Sequence, residues 1–214
     1  MKHRAFIFWG IVALAVVVSA IAWDRLPDPM DSHWNAKGEA DDTIPKFWGL
    51  ALMPMALAVM VLIALVIPRI DPLNKNINLF RKYYDGFMLM LLLFILVVHV
   101  FMILWNTGIK ISPTLIFPPA LAVLFYAIGI LCGVSKRNWF IGVRTPWTLS
   151  SDAVWEKTHQ KARVLFKAGA ILILAGSFIG EYAIYVILSV IIALVIYLVG
   201  YSYAEYRREN PSNA

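Results

Sequence analysis

Residues with the capacity for chemistry collect in three places. The first is the stretch Asn138-Trp139-Phe140-Ile141-Gly142-Val143-Arg144-Thr145-Pro146-Trp147-Thr148-Leu149-Ser150. Asn138, Arg144, Thr145 and Thr148 carry donors suited to a partner or an anion. Gly142 and Pro146 fix the backbone around Arg144. Trp139, Phe140, Trp147 and, further on, Trp155 are aromatics suited to a headgroup layer. Docking of a cytoplasmic partner and plain anchoring with orienting charge both fit this composition. The second place runs from Asp24 to Lys46, where six acids against three bases give a net charge of −3. It contains His33-Trp34-Asn35, then Gly38, Asp41 and Lys46. His33 beside Asp31, Glu39 or Asp41 has the makings of an oxygen-rich cation site. No HExxH or EF-hand spacing is present, so the expectation is no metal and a folded cap with Trp34 resting on the membrane interface. The third place is apolar: His99, with Pro54, Pro118, Pro119 and Glu181 expected near the same end of the molecule. These groups are candidates to line one outward-facing cavity. The simpler reading is a neutral His99 hydrogen-bonded to a neighbouring helix.

Other chemistries lack their residues. No nucleophile elbow, P-loop, GxGxxG or HExxH pattern occurs. The single Cys132 excludes a disulfide framework and a CxxC site. The expectation is therefore no enzyme and no cofactor. Carboxylates are essentially absent from the apolar stretches, which argues against proton-coupled transport. The basic residues are dispersed, which argues against direct nucleic-acid binding.

The elements that must position these residues are membrane helices. The chain has 214 residues, 61% hydrophobic and 15% charged, with a mean hydropathy of +0.73. A soluble domain carries about 25% charged residues. Six apolar stretches approach or reach the roughly 20 residues that cross a bilayer: 5–23, 47–67, 86–105, 113–133, 164–179 and 182–203. The first is too long for a signal-peptide core and lacks an A-x-A site. With both termini inside, the cations are Lys2, Arg4, Arg69, Lys75, Arg81, Lys82, Lys136, Arg137, Arg144, Lys157, Lys161, Arg163, Arg207 and Arg208 on the inner side. Arg25, Lys37, Lys46 and Lys110 lie outside, a bias of 14 to 4. The expected fold is an all-α, six-helix, multi-pass bundle in the cell membrane, divided into 1–70 and 71–214. Trp155, His159, Ala162 and Phe166 recur at helical spacing opposite Glu156, Lys157, Gln160 and Lys161. This predicts an amphipathic helix on the inner membrane surface before the fifth span, its charged face free for a partner.

The stretch 138–150 with Trp155 and His159 resembles the signature of the SdpI family, bacterial multi-pass immunity proteins against a secreted killing peptide. Leu26-Pro27 through His33-Trp34-Asn35, Gly38, Asp41 and Lys46 resembles the small membrane domain of unknown function that often precedes that signature. The resemblance implies immunity to a peptide toxin met on the outer face, through His33, Trp34, Asn35, Gly38, Asp41 and Lys46. It also implies docking of a cytoplasmic repressor at Asn138, Trp139, Gly142, Arg144, Thr145, Pro146, Trp147, Trp155 and His159, with membrane lipids as further partners. The alternative reading is a small transporter or lipid-interacting protein. A lipid-headgroup enzyme using Arg144 and His159 would lack a paired carboxylate or metal cluster.

Overall fold

The structure, a computed structural model, describes residues 2–210; the side chain of Lys2, counted above among the inner cations, lies outside that description. The long helices are α1 (Lys2–Ala22), α2 (Lys46–Ile70), α4 (Arg81–Asn106), α5 (Pro113–Val134), α7 (Asp152–Gly176) and α8 (Ala183–Glu209). Short helices α3 (Asn74–Leu79) and α6 (Pro146–Ser150) interrupt two connections. Strands β1 (Met30–Trp34) and β2 (Ala40–Ile44) form an antiparallel hairpin, with Met30 opposite Ile44 and Trp34 opposite Ala40.

Among the described residues, five continuous segments are long and apolar enough to cross a membrane. The last, Asp152–Glu209, has 58 residues. Straight, it would reach about 87 Å, nearly three hydrocarbon cores. It folds back instead into α7 and α8 through a tight turn at 177–182, where Gly180 takes φ 60° and ψ −125°. That conformation is open to glycine and closed to residues bearing a Cβ.

Two packing groups follow. Leu57, Val61, Ala64, Tyr84 and Leu92 join α2 and α4 with Phe8, Ile11 and Ala15 of α1. Phe125, Ala170, Ile173 and Leu194 join α5, α7 and α8. Small residues set the close approaches: a Cβ on Gly169 would lie 2.9 Å from the Val190 side chain. Without a hydrophobic force between helices in lipid, such backbone proximity is what holds a bundle together. The outer surface is apolar to an extent that water would not tolerate, with Phe6 82%, Phe178 84% and Ile196 68% exposed.

The acidic segment, expected as turns and extended segments, pairs two of its extended stretches into the β-hairpin. The amphipathic stretch is the first half of α7, which runs on unbroken into the fifth apolar stretch for 25 residues in all.

Candidate functional site

The helices alternate in direction, so two clusters form at opposite ends of the bundle. The loop end gathers 71–80, 134–151, the start of α1 and the end of α8. The hairpin end gathers β1, β2, 107–112 and the 177–182 turn.

At the loop end the backbone is folded by its own side chains. Asn138, wholly buried, accepts from the N–H groups of Phe140 (3.0 Å) and Ile141 (2.7 Å), and donates to the carbonyls of Lys136 (2.9 Å) and Ile141 (3.0 Å). Every polar capacity of its amide head group is thereby engaged. Asp71 is buried too; its carboxylate accepts from Leu73 N–H (2.6 Å) and Trp139 N–H (2.9 Å), tying two connections together. Thr145 and Thr148 form a capping box around α6, and the Thr145 hydroxyl donates to Ser202 of α8 at 3.0 Å.

His159 closes this loop. Val143 N–H donates to its Nε2 at 3.0 Å, so that nitrogen is bare; Nδ1 carries the proton and donates to the Trp155 carbonyl at 2.9 Å. The Trp155 ring stacks on the imidazole, centroids 3.9 Å apart, and its own N–H donates to Ser135 O at 3.1 Å. Both rings are 1% exposed. Gly142 (φ 111°) lies directly against His159: a Cβ there would sit 2.3 Å from Nε2. This is a neutral, saturated histidine that serves as a backbone clasp.

The structure thus divides the signature residues. Asn138, Thr145, Trp155 and His159 are buried and build the loop. Trp139, Arg144 and Pro146 are exposed. Arg144 donates to the Trp139 carbonyl at 2.9 Å. It lines a cleft of ≈ 280 Å³ between α5, α7 and α8.

The charged face of α7 is not free, contrary to expectation. Lys157 Nζ lies 3.1 Å from Glu205 and 3.5 Å from Glu209 of α8. The Glu205 side chain is 5% exposed and also pairs with Arg208 at 2.6 Å. Lys161 stands over the Tyr201 ring. Lys157→Glu therefore places a carboxylate against a buried carboxylate. We expect reduced membrane abundance, read by quantitative immunoblot, and recovery with Glu205→Lys. Full abundance of the single variant would mean that the bridge contributes nothing.

At the hairpin end the anchor is α4. Asp31 N–H donates to Asn106 Oδ1 at 2.8 Å, and Asn106 Nδ2 donates back to Asp31 O at 2.9 Å. The side-chain amide thus imitates a neighbouring strand on β1. Trp105 N–H reaches the Asp31 carboxylate at 2.9 Å, with Lys110 at 3.5 Å. Trp34, expected on the membrane interface, packs edge-on to Phe101 (4.9 Å) and Trp105 (5.4 Å) instead. Asn35 orders the hairpin tip by accepting from Lys37 and Glu39 N–H groups, and Gly38 lies over Pro113. Lys46 N–H donates to Asp28 at 3.0 Å. His33 pairs with Asp41 at 2.6 Å on the exposed face, while Asp31 turns away to α4. Beneath the hairpin, α4, α5 and α8 leave a cleft of ≈ 370 Å³ lined by Trp34, Asn35, Val98, Phe117, Pro118 and Ile184, among others.

His99 is fully buried, its Nε2 2.9 Å from the Ser19 hydroxyl of α1. The prolines do not share one cavity: Pro118 lines the cleft under the hairpin, and Pro54 lines a separate one between α1 and α2. Glu181 lines neither.

Asp71, Asn106, Ser19 and Ser202 escaped the sequence reading. Asp71 and Asn106 do bear a signal: each is a polar residue directly at the end of an apolar span, where backbone groups need partners. The two serines offer none, since a lone hydroxyl in an apolar helix satisfies its own preceding turn, as Ser19 does to Ala15.

Two parts of the chain match known families. The SdpI/YfhL protein family matches residues 134–202, which hold the clasp, α6, α7 and most of α8. A domain of unknown function (DUF1648) matches residues 10–58, which hold most of α1, the hairpin and half of α2. The immunity protein SdpI of Bacillus subtilis (strain 168) is 28% identical over 204 residues, 94% of this chain and 95% of the relative. No solved structure matches. The chain is a multi-pass cell-membrane protein whose residues 134–202 match the SdpI/YfhL family, with a match to DUF1648 ahead of them.

Proposed function

We propose that this protein confers immunity to a secreted peptide toxin, meeting it at the hairpin end. The observation that carries this reading is the likeness to an immunity protein over 94% of the chain. A cleft at that end supports the encounter there. The cleft under the hairpin is apolar below, and its roof carries the exposed acids Glu39, Asp41 and Asp42. An amphipathic peptide has both kinds of surface to offer. The loop end faces the cytoplasm, where a repressor would meet exposed Trp139 and Pro146. The six long helices each cross the membrane, and both chain ends are cytoplasmic; the 14-to-4 distribution of cations supports this orientation.

Sensitive cells expressing the chain should survive the family's killing peptide at concentrations that kill control cells. Death at equal toxin, with the protein at confirmed abundance in the membrane, overturns the reading. Orientation has its own test. On a Cys132→Ala background, Asp42→Cys should react with an impermeant maleimide in intact cells and Lys136→Cys should not. The reverse pattern inverts the molecule.

A further inference from the structure

We infer that the cleft at the loop end between α5, α7 and α8 binds an anionic phospholipid, with Arg144 on the phosphate and one acyl chain along the cleft. This goes beyond the immunity reading and rests only on the helices being in a membrane. Among the described residues Arg144 has no acidic partner. One N–H is spent on the Trp139 carbonyl, which fixes the guanidinium and leaves its other donors free. A planar fork so held suits two oxygens of one phosphate. The Thr145 hydroxyl beside it is committed to Ser202, so the cation alone supplies the polar recognition.

Below Arg144 the cleft is wholly apolar, with Phe125, Phe166, Leu194 and Leu198 among its lining. Along α8 it extends from Ile191 to Val199. That is about 12 Å of helix, most of the roughly 15 Å depth of one leaflet. It opens sideways at Val195 (58% exposed) and Val199 (41%), on the surface that faces lipid. The nearby Trp147–Tyr203 pair, with Arg207 over the Tyr203 ring, marks the headgroup level. A cation at that level with an apolar channel running inward matches the chemistry of a lipid from head to tail. A soluble acidic peptide could satisfy the arginine but has no means to follow the channel into hydrocarbon.

The test is native mass spectrometry of the delipidated full-length protein in detergent. The probes are phosphatidylglycerol and phosphatidylcholine of matched chains at equal concentration, and glycerol phosphate alone. Wild type should retain phosphatidylglycerol about tenfold over phosphatidylcholine and no glycerol phosphate. Arg144→Gln should erase the preference while leaving the protein monodisperse. Val195→Trp, which fills the lipid-facing mouth, should lower retention of both lipids. Equal retention by wild type, or an unchanged preference in Arg144→Gln, would reduce the cleft to ordinary annular contact. Retention of glycerol phosphate alone would make it a soluble-phosphate site. Either outcome overturns the proposal.

Discussion

Gly142→Ala is expected to abolish protection and to remove most of the protein from the membrane. Two independent costs coincide at this residue. Its φ of 111° lies where a Cβ is strained, at about 1–3 kcal/mol. The new methyl would also stand 2.3 Å from His159 Nε2. The imidazole cannot retreat, because Trp155 stacks on it and both its nitrogens are bonded. Relief of the overlap must therefore open the Val143 bond and, with it, the register of the whole loop. Together these exceed the usual loss for a point substitution. Abundance and thermal aggregation temperature measure the outcome. Adding His159→Ala should return part of the stability by making room, but not the strain. A Gly142→Ala protein of normal abundance and melting behaviour would show that the loop is not clasped as described.

Asn106→Leu is expected to free the hairpin from α4 without unfolding the bundle. The substitution keeps side-chain size while deleting both hydrogen bonds to the Asp31 backbone. Two partly buried backbone groups lose their partners, at about 1–3 kcal/mol. Trp105 and Lys110 still hold the carboxylate, so the hairpin loosens without being lost. Hydrogen exchange should quicken at 30–44 and stay unchanged in α7 and α8. Toxin protection should fall several-fold at normal abundance. Unchanged exchange at 30–44 would place the anchor elsewhere.

The long helices were legible because hydropathy is a local property: the apolar stretches lie inside the observed helices almost end to end. The spacing of four between Trp155 and His159 likewise predicted one shared face, and both are buried there. The hairpin was not legible. Its strands read Met-Asp-Ser-His-Trp and Ala-Asp-Asp-Thr-Ile, too polar and acidic for a strand signal. What supports β1 from outside is a pair of bonds from Asn106, more than seventy residues away. Lys157 shows the same limit. Helical periodicity places it on a polar face, and no local pattern reveals that Glu205 waits there on the last helix. His99 stood out as an ionisable group in an apolar span, but its partner Ser19 could be found only from the packing of α1 on α4. Features set by neighbours along the chain could be read; those set by neighbours across the bundle could not.

On the proposed function, the toxin is met in the cleft beneath the hairpin. Ile184 lines that cleft from α8 and is 39% exposed, so a larger ring can enter the space without disturbing the core. The deciding measurement is survival of sensitive cells under the killing peptide, comparing wild type with Ile184→Trp at matched membrane abundance. Survival with wild type and death with the filled cleft are expected. Equal survival of the two would contradict an encounter in this cleft.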